Sequence, residues 1–218
     1  MIYSNKRKLS LSGWLKENDN SSYENSLKLQ KFLFFYEVLS KISGEKADFK
    51  NLKGYKNGPV FSNVWGDYTK EKDNFNIEIK KAYNSYVKYI NKKRAKKCNY
   101  IINSMTENEL SVLTHQFNIW KSKEDRINSG EYQVKLKESD FNYNDEQLAL
   151  TINKIYPDEL IKNSKIIKIN DKRFIISKEN YKNLTKEHIE ILKKLVKNEI
   201  LYNPVFIELD NEGRLIID

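Results

Sequence analysis

The side chains best suited to nucleophilic or metal chemistry are few in this chain: one cysteine, Cys98, and two histidines, His115 and His188, among 218 residues. A protein metal site needs three or four His, Cys or carboxylate ligands converging on one point. Neither histidine has a second His or Cys at helical spacing, so both read as ordinary surface or partly buried residues. Cys98 lies within a basic run, and nearby cations would favour a reactive thiolate. It also falls on the apolar spacing Tyr83, Val87, Ile90, Cys98, Ile101, where a small sulfur side chain packs well, and packing is the simpler reading. No serine sits in a Gly-x-Ser-x-Gly elbow, and seven glycines leave no phosphate-cradling loop or dinucleotide fingerprint. Asp145 and Glu146 fall at an expected helix start, where negative charge suits the helix dipole. The expectation is a protein that is not an enzyme and carries no metal and no cofactor.

Charge offers a different chemistry. Lys and Arg number 39 against 30 Asp and Glu, a formal excess of +9. Lys88, Lys92, Lys93, Arg94, Lys96 and Lys97 concentrate part of it on what reads as an exposed helix face. Such a face suits phosphates or an acidic protein surface. It is equally a solvated face in a Lys-, Asn- and Ile-rich chain of the kind an AT-rich coding sequence produces. A partner protein is the first reading, and nucleic acid is secondary.

The elements that must position these residues follow from periodicity. With 39% hydrophobic residues, 12% aromatics, seven Gly and three Pro, the composition favours long regular elements, helices above all. Leu29, Phe32, Leu33, Tyr36, Leu39 and Ile42 recur every three or four positions, predicting a helix over 24–43 with Lys28, Lys31 and Lys41 off its apolar centre. Ser21 and Glu24 have capping-box spacing, and Gly44 supplies the stop. A shorter helix is expected over 9–17. An extended piece at 52–55 leads into Gly58 and Pro59, a turn that opens a helix over 59–70 with Val60, Phe61, Val64, Trp65 and Tyr68 inward.

Helical patterns continue over 77–105, with one break, then over 106–121 and 145–155. Residues 122–144 are polar and read as a loop or insertion. Beyond 163 the period changes to that of strands. Ile166, Ile167 and Ile169 with Phe174, Ile175 and Ile176 flank Asn170 and Asp171 as a hairpin would. A helix over 185–198 follows, then a second hairpin around Asn211, Glu212 and Gly213. The expected fold is mainly α with a smaller α+β carboxyl-terminal part. A helical domain is expected over 1–163, with a hairpin–helix–hairpin extension over 164–218 packed on it.

A single cysteine forms no internal disulfide, the first twenty residues lack the apolar stretch of a secretory signal, and the longest apolar run is far too short to cross a bilayer. The expected setting is the cytoplasm, without a membrane.

Three segments carry a family resemblance. Leu29-Gln30-Lys31 followed by Phe34 is similar to a Leu-Gln-Lys-x-x-Tyr helix. Tyr55-Lys56-Asn57-Gly58-Pro59-Val60 is similar to an aromatic-x-x-Gly-Pro-Val turn, and Val64-Trp65 with Tyr68 to the Val-Tyr-x-x-Phe that follows it. In this order and spacing, residues 27–69 resemble the Panacea domain family of SocA-like antitoxins, often associated with phage and other mobile genetic elements. The resemblance implies a helical domain that neutralises a cognate toxin by direct protein–protein binding. One member is instead an adaptor presenting its toxin to a protease. Phe34 and Tyr55 depart from the pattern, and the tail after 163 has no counterpart in it. Gly58, Pro59, Val60 and Trp65 read as fold-defining. Tyr55, Lys56 and Asn57, with Lys88, Lys92, Lys93, Arg94 and Lys96, are the candidate partner contacts. A DNA-binding regulator, or an inhibitor or adaptor acting on a host defence protein or protease, is the alternative.

Overall fold

The computed structural model describes residues 1–218, and it is mainly helical with two small sheets. The elements run α1 (Lys6–Asn18), α2 (Asn20–Glu24), α3 (Ser26–Ile42), β1 (Leu52–Tyr55), β2 (Gly58–Phe61), α4 (Ser62–Lys70), α5 (Lys72–Tyr86), α6 (Lys92–Asn103), α7 (Glu107–His115), α8 (Asn118–Lys121), α9 (Glu124–Asn128), β3 (Val134–Lys135), α10 (Tyr143–Ile155), α11 (Asp158–Asn163), β4 (Ser164–Ile169), β5 (Lys172–Ser177), α12 (Lys178–Lys182), α13 (Lys186–Asn198), β6 (Val205–Leu209) and β7 (Leu215–Ile217). They form two compact units, one of Met1–Ile102 with Glu107–Ile155, the other of Asn103–Thr106 with Tyr156–Asp218. No helix is long and apolar enough to cross a membrane.

In the first unit α3 is the central element. Every residue from Lys28 to Ser40 is buried, not one face alone. Its Phe32 stacks on Trp14 of α1, and Phe34 meets Phe117 edge-on at 5.3 Å between ring centres. The polar residues on so enclosed a helix need partners, and they have them. Glu37, fully buried, accepts from Arg7 Nε and Nη2, from Lys8 Nζ at 2.5 Å and from the Asp48 amide. This network ties α1 and the loop before β1 to α3. Gly13 lets α1 approach α5 closely, since a Cβ there would lie 2.6 Å from the Ile79 carbonyl oxygen.

The helix starts earn their positions locally. Asn25, not the Ser21–Glu24 pair, caps α3 by accepting from the Lys28 amide, while Asp19 caps α2 and breaks it from α1. Pro59 does not open a helix. It lies in β2, which pairs antiparallel with β1 in the order β2-β1-β3, and on this edge its missing N–H costs no ladder bond. The helix begins three residues later, at Ser62. The polar stretch 122–144 is also structured: it contributes α9 and the strand β3, which pairs Val134 with Gly54 and Lys135 with Lys53.

The second unit is a four-stranded sheet, β4-β5-β6-β7, carrying α13 on one face. Both expected hairpins are present, with Asn170 at φ +53° and Gly213 at φ +78° in their turns. They are joined by parallel pairing of β5 with β6, Phe174 opposite Val205 and Ile176 opposite Ile207. Parallel neighbours need a crossover, and α12 and α13 supply it. Leu192 packs over Ile169, Phe174, Ile176, Val205 and Ile207 to make this unit's core.

Candidate functional site: a cleft at the hairpin tip

Residues 29–31, 55–60 and 65 meet around the loop between β1 and β2. Tyr55 and Gly58 pair across a two-residue tip, Lys56–Asn57. Gly58 takes φ +100°, a region that L side chains avoid, and a Cβ on it would lie 2.3 Å from Lys31 Nζ and 2.6 Å from Thr114 Oγ1. From beneath, side chains hold the backbone on both sides of Lys56. Trp120 Nε1 donates to the Tyr55 carbonyl at 3.1 Å, and Lys31 Nζ donates to the Asn57 carbonyl at 2.5 Å. His115 stacks flat on Trp120 at 3.8 Å. Gln30 Oε1 accepts from the Phe61 amide at 2.8 Å and fixes where β2 runs. Gln30 and Lys31 are thus the braces of the hairpin, inserted from the central helix.

Beside this braced tip is a cleft of about 320 Å³, lined by Ser26, Leu27, Gln30 and Lys31 of α3, by Tyr55, Lys56, Asn57 and Val60, by Trp65 of α4 and by Tyr132. Its rim is aromatic. Trp65 is 38% exposed and Tyr132 83% exposed, and the Tyr132 ring meets Tyr55 edge-on at 6.2 Å. Buried beneath the rim are polar, donor-bearing side chains. Lys31 is 1% exposed with no carboxylate beside it, and burial pulls its ammonium down to about 7. Burial likewise raises the Tyr55 phenol. His115 is held below its ordinary value, first by burial and then by the neighbouring Lys31 charge. Gln30 Nε2, the Tyr55 hydroxyl and His115 Nε2 are buried and make no hydrogen bond within the protein.

Of the sequence-derived contacts, Tyr55, Lys56 and Asn57 line this cleft, as does Val60 of the motif, while Gly58 and Pro59 lie in β2 beside it. Trp65 does not pack inward. Val64, Asp67 and Tyr68 form the buried face of α4, and Trp65 is turned about 100° from Val64 around the helix, toward the cleft mouth. Lys31, read as lying off the apolar centre of its helix, is instead buried.

The basic segment lies outside the cleft lining and divides. Lys88, Lys92, Lys93 and Lys96 are exposed. Arg94 is not: it is 7% exposed, clamps Glu45 through Nη1 and Nη2, donates to Ser40 Oγ and lies over the Tyr36 ring. Lys97 is buried too, bonded to Asn153. A helix of three to four residues per turn turns some cations of any such run inward.

The remaining chemistry-bearing residues are structural. Cys98 is fully buried and its thiol is pushed well up by that burial. His188 caps α13: its Nδ1 accepts from the Thr185 amide while the Thr185 hydroxyl accepts from the His188 amide. Asp145, 1% exposed, does more than suit its own helix dipole, since its carboxylate accepts from the amides of Asn118, Ile119 and Asn142 and so ties α8 to α10. No group of three or more His, Cys, Asp or Glu side chains is placed to hold a metal ion.

Comparison of the chain with family models, with curated proteins and with solved structures gives no match.

Proposed function

We propose that this chain is an antitoxin-like binding protein that neutralises a cognate toxin by gripping it at the cleft beside the β1–β2 tip. The observation that carries the reading is the pairing of a rigid tip with an aromatic rim. The tip backbone is held by Trp120 and Lys31, with His115 stacked on Trp120 behind it, so it loses little freedom on binding. Trp65 and Tyr132 expose large amphipathic rings at its mouth. Tyr and Trp around a preformed depression are the side chains in which protein–protein binding energy concentrates. The Panacea-like resemblance supports the same reading, because each of the three segments that carry it contributes residues to this cleft.

The alternative of a DNA-binding regulator loses two of the six cations that motivated it, since Arg94 and Lys97 are engaged internally. The test is co-expression with the product of the adjacent gene. Rescue of growth together with co-purification of the two chains is the expected result. A toxic neighbour that this chain neither rescues nor binds would overturn the proposal.

A further inference from the structure

The floor of the cleft has a chemical sign. Phe61 N–H donates to Gln30 Oε1, which fixes the amide's orientation: the other terminus is NH2, a donor. That Nε2 belongs to a side chain only 2% exposed and finds no partner in the protein. Lys31 Nζ spends one of its three hydrogens on the Asn57 carbonyl and has no carboxylate to neutralise it. The Tyr55 hydroxyl is also unpartnered. None of the ten lining residues is Asp or Glu, and Lys56 adds a second cation at the rim.

We infer that the cleft receives a carboxylate side chain of the partner protein, an Asp or Glu carried next to an aromatic or apolar residue. The carboxylate enters above Lys31 Nζ, Gln30 Nε2 and the Tyr55 hydroxyl, buried donors that turn to its oxygens as the cleft opens, while the flanking side chain lies against Trp65 and Tyr132. One buried cation matches the single charge of a carboxylate, whereas a phosphate would bring close to two. The volume, about 320 Å³, is at the small end for cofactor or drug-like sites and suits one or two inserted side chains. An anion arriving beside Lys31 favours its charged form, so binding near pH 8 takes up a proton. Tyr55, Lys56, Tyr132 and His115 are the other titratable groups around the cleft, and Glu124 acts on His115 from outside its lining.

This inference rests on the protein-binding reading above, and its test separates the two. Calorimetry on the full chain compares acetyl-Trp-Glu-amide with acetyl-Trp-Gln-amide, and adds indole-3-acetate as a free small carboxylate. Each is run at pH 8 in buffers of different ionisation enthalpy. The acidic peptide is expected to bind about tenfold or more tighter than its amide, the magnitude of a charge-assisted bond, with proton uptake. Gln30→Glu keeps an oxygen for the Phe61 amide but replaces the free donor with negative charge. It is expected to abolish the preference while the melting temperature holds or rises.

Equal binding of acid and amide, or an unchanged preference in Gln30→Glu, would overturn the inference even if toxin rescue succeeds. Indole-3-acetate binding as tightly as the peptide would overturn the assignment to a partner's side chain. Failure of rescue alongside a clear acid preference would count against the antitoxin reading and leave the carboxylate site standing.

Discussion

Replacing Lys31 by methionine isolates the most unusual energetic feature of the molecule. The side chain is fully buried, unpaired by any carboxylate, and its amine is brought from 10.5 to about 7 by desolvation. In the unfolded chain the amine returns to water and its ordinary value. Between these two values the unfolded state binds more protons than the folded one, so stability rises with pH across that window. The contribution is fully present above 10.5 and is lost as pH falls toward 7. With these two values, linkage gives a gain of about 3 kcal/mol between pH 7 and pH 9.5. Urea unfolding of wild type and Lys31→Met at half-unit steps of pH checks this. His115, which feels Lys31, titrates below this window, and groups remote from Lys31 titrate alike in both proteins, so the difference between the two curves is read. The difference is expected to grow by about 3 kcal/mol in favour of wild type, at roughly 1.4 kcal/mol per unit once above pH 7.5. Parallel curves would refute the reasoning by showing that Lys31 keeps an ordinary amine in the folded protein.

Three further outcomes follow from named contacts. Gly58→Ala is expected to cost about 2 kcal/mol or more in urea unfolding, because a Cβ at φ +100° is strained and meets Lys31 and Thr114 at once. Asp145→Asn keeps the shape of the side chain but turns an NH2 toward backbone amides that now donate to a carboxylate. A loss of about 2 kcal/mol by the same measurement is expected, and a loss below 0.5 would contradict the contact. Cys98 is expected to resist a thiol reagent under native conditions at pH 8 and to react promptly in urea, since it is buried and its thiol is raised. Prompt native labelling would contradict that placement.

What the sequence made legible was local. The spacing of Leu29, Phe32, Tyr36 and Leu39 announced the central helix, and Asn170–Asp171 and Asn211–Gly213 announced the two hairpins. What it hid depended on distant partners. Pro59 has the right neighbours for a helix start, and only the position of β2 at a sheet edge makes it a strand residue. Lys31 looked solvated because lysines on helices usually are; its burial follows from the hairpin folding over it. Arg94 looked like its neighbouring lysines until Glu45 and Tyr36 were brought beside it. The strand at 134–135 and the parallel register of β5 with β6 are non-local pairings, for which two or three residues of local pattern carry no signal.

The cleft was half readable. Tyr55, Lys56 and Asn57 were singled out through the motif, whereas Tyr132, in a polar stretch without period, was not. Gln30 and Lys31 stood in the motif too, directly ahead of the apolar run Phe32 to Tyr36, but nothing in their local pattern marked them as part of a binding surface.

The most direct test of the account is the affinity of the purified chain for the protein it rescues against, measured for wild type and for Trp65→Ala with Tyr132→Ala. Both rings stand at the surface, so the melting temperature is expected to move little. Affinity is expected to fall by about a hundredfold or more, as for paired aromatic anchors. Unchanged affinity in a folded double variant would contradict the claim that this cleft is the gripping surface.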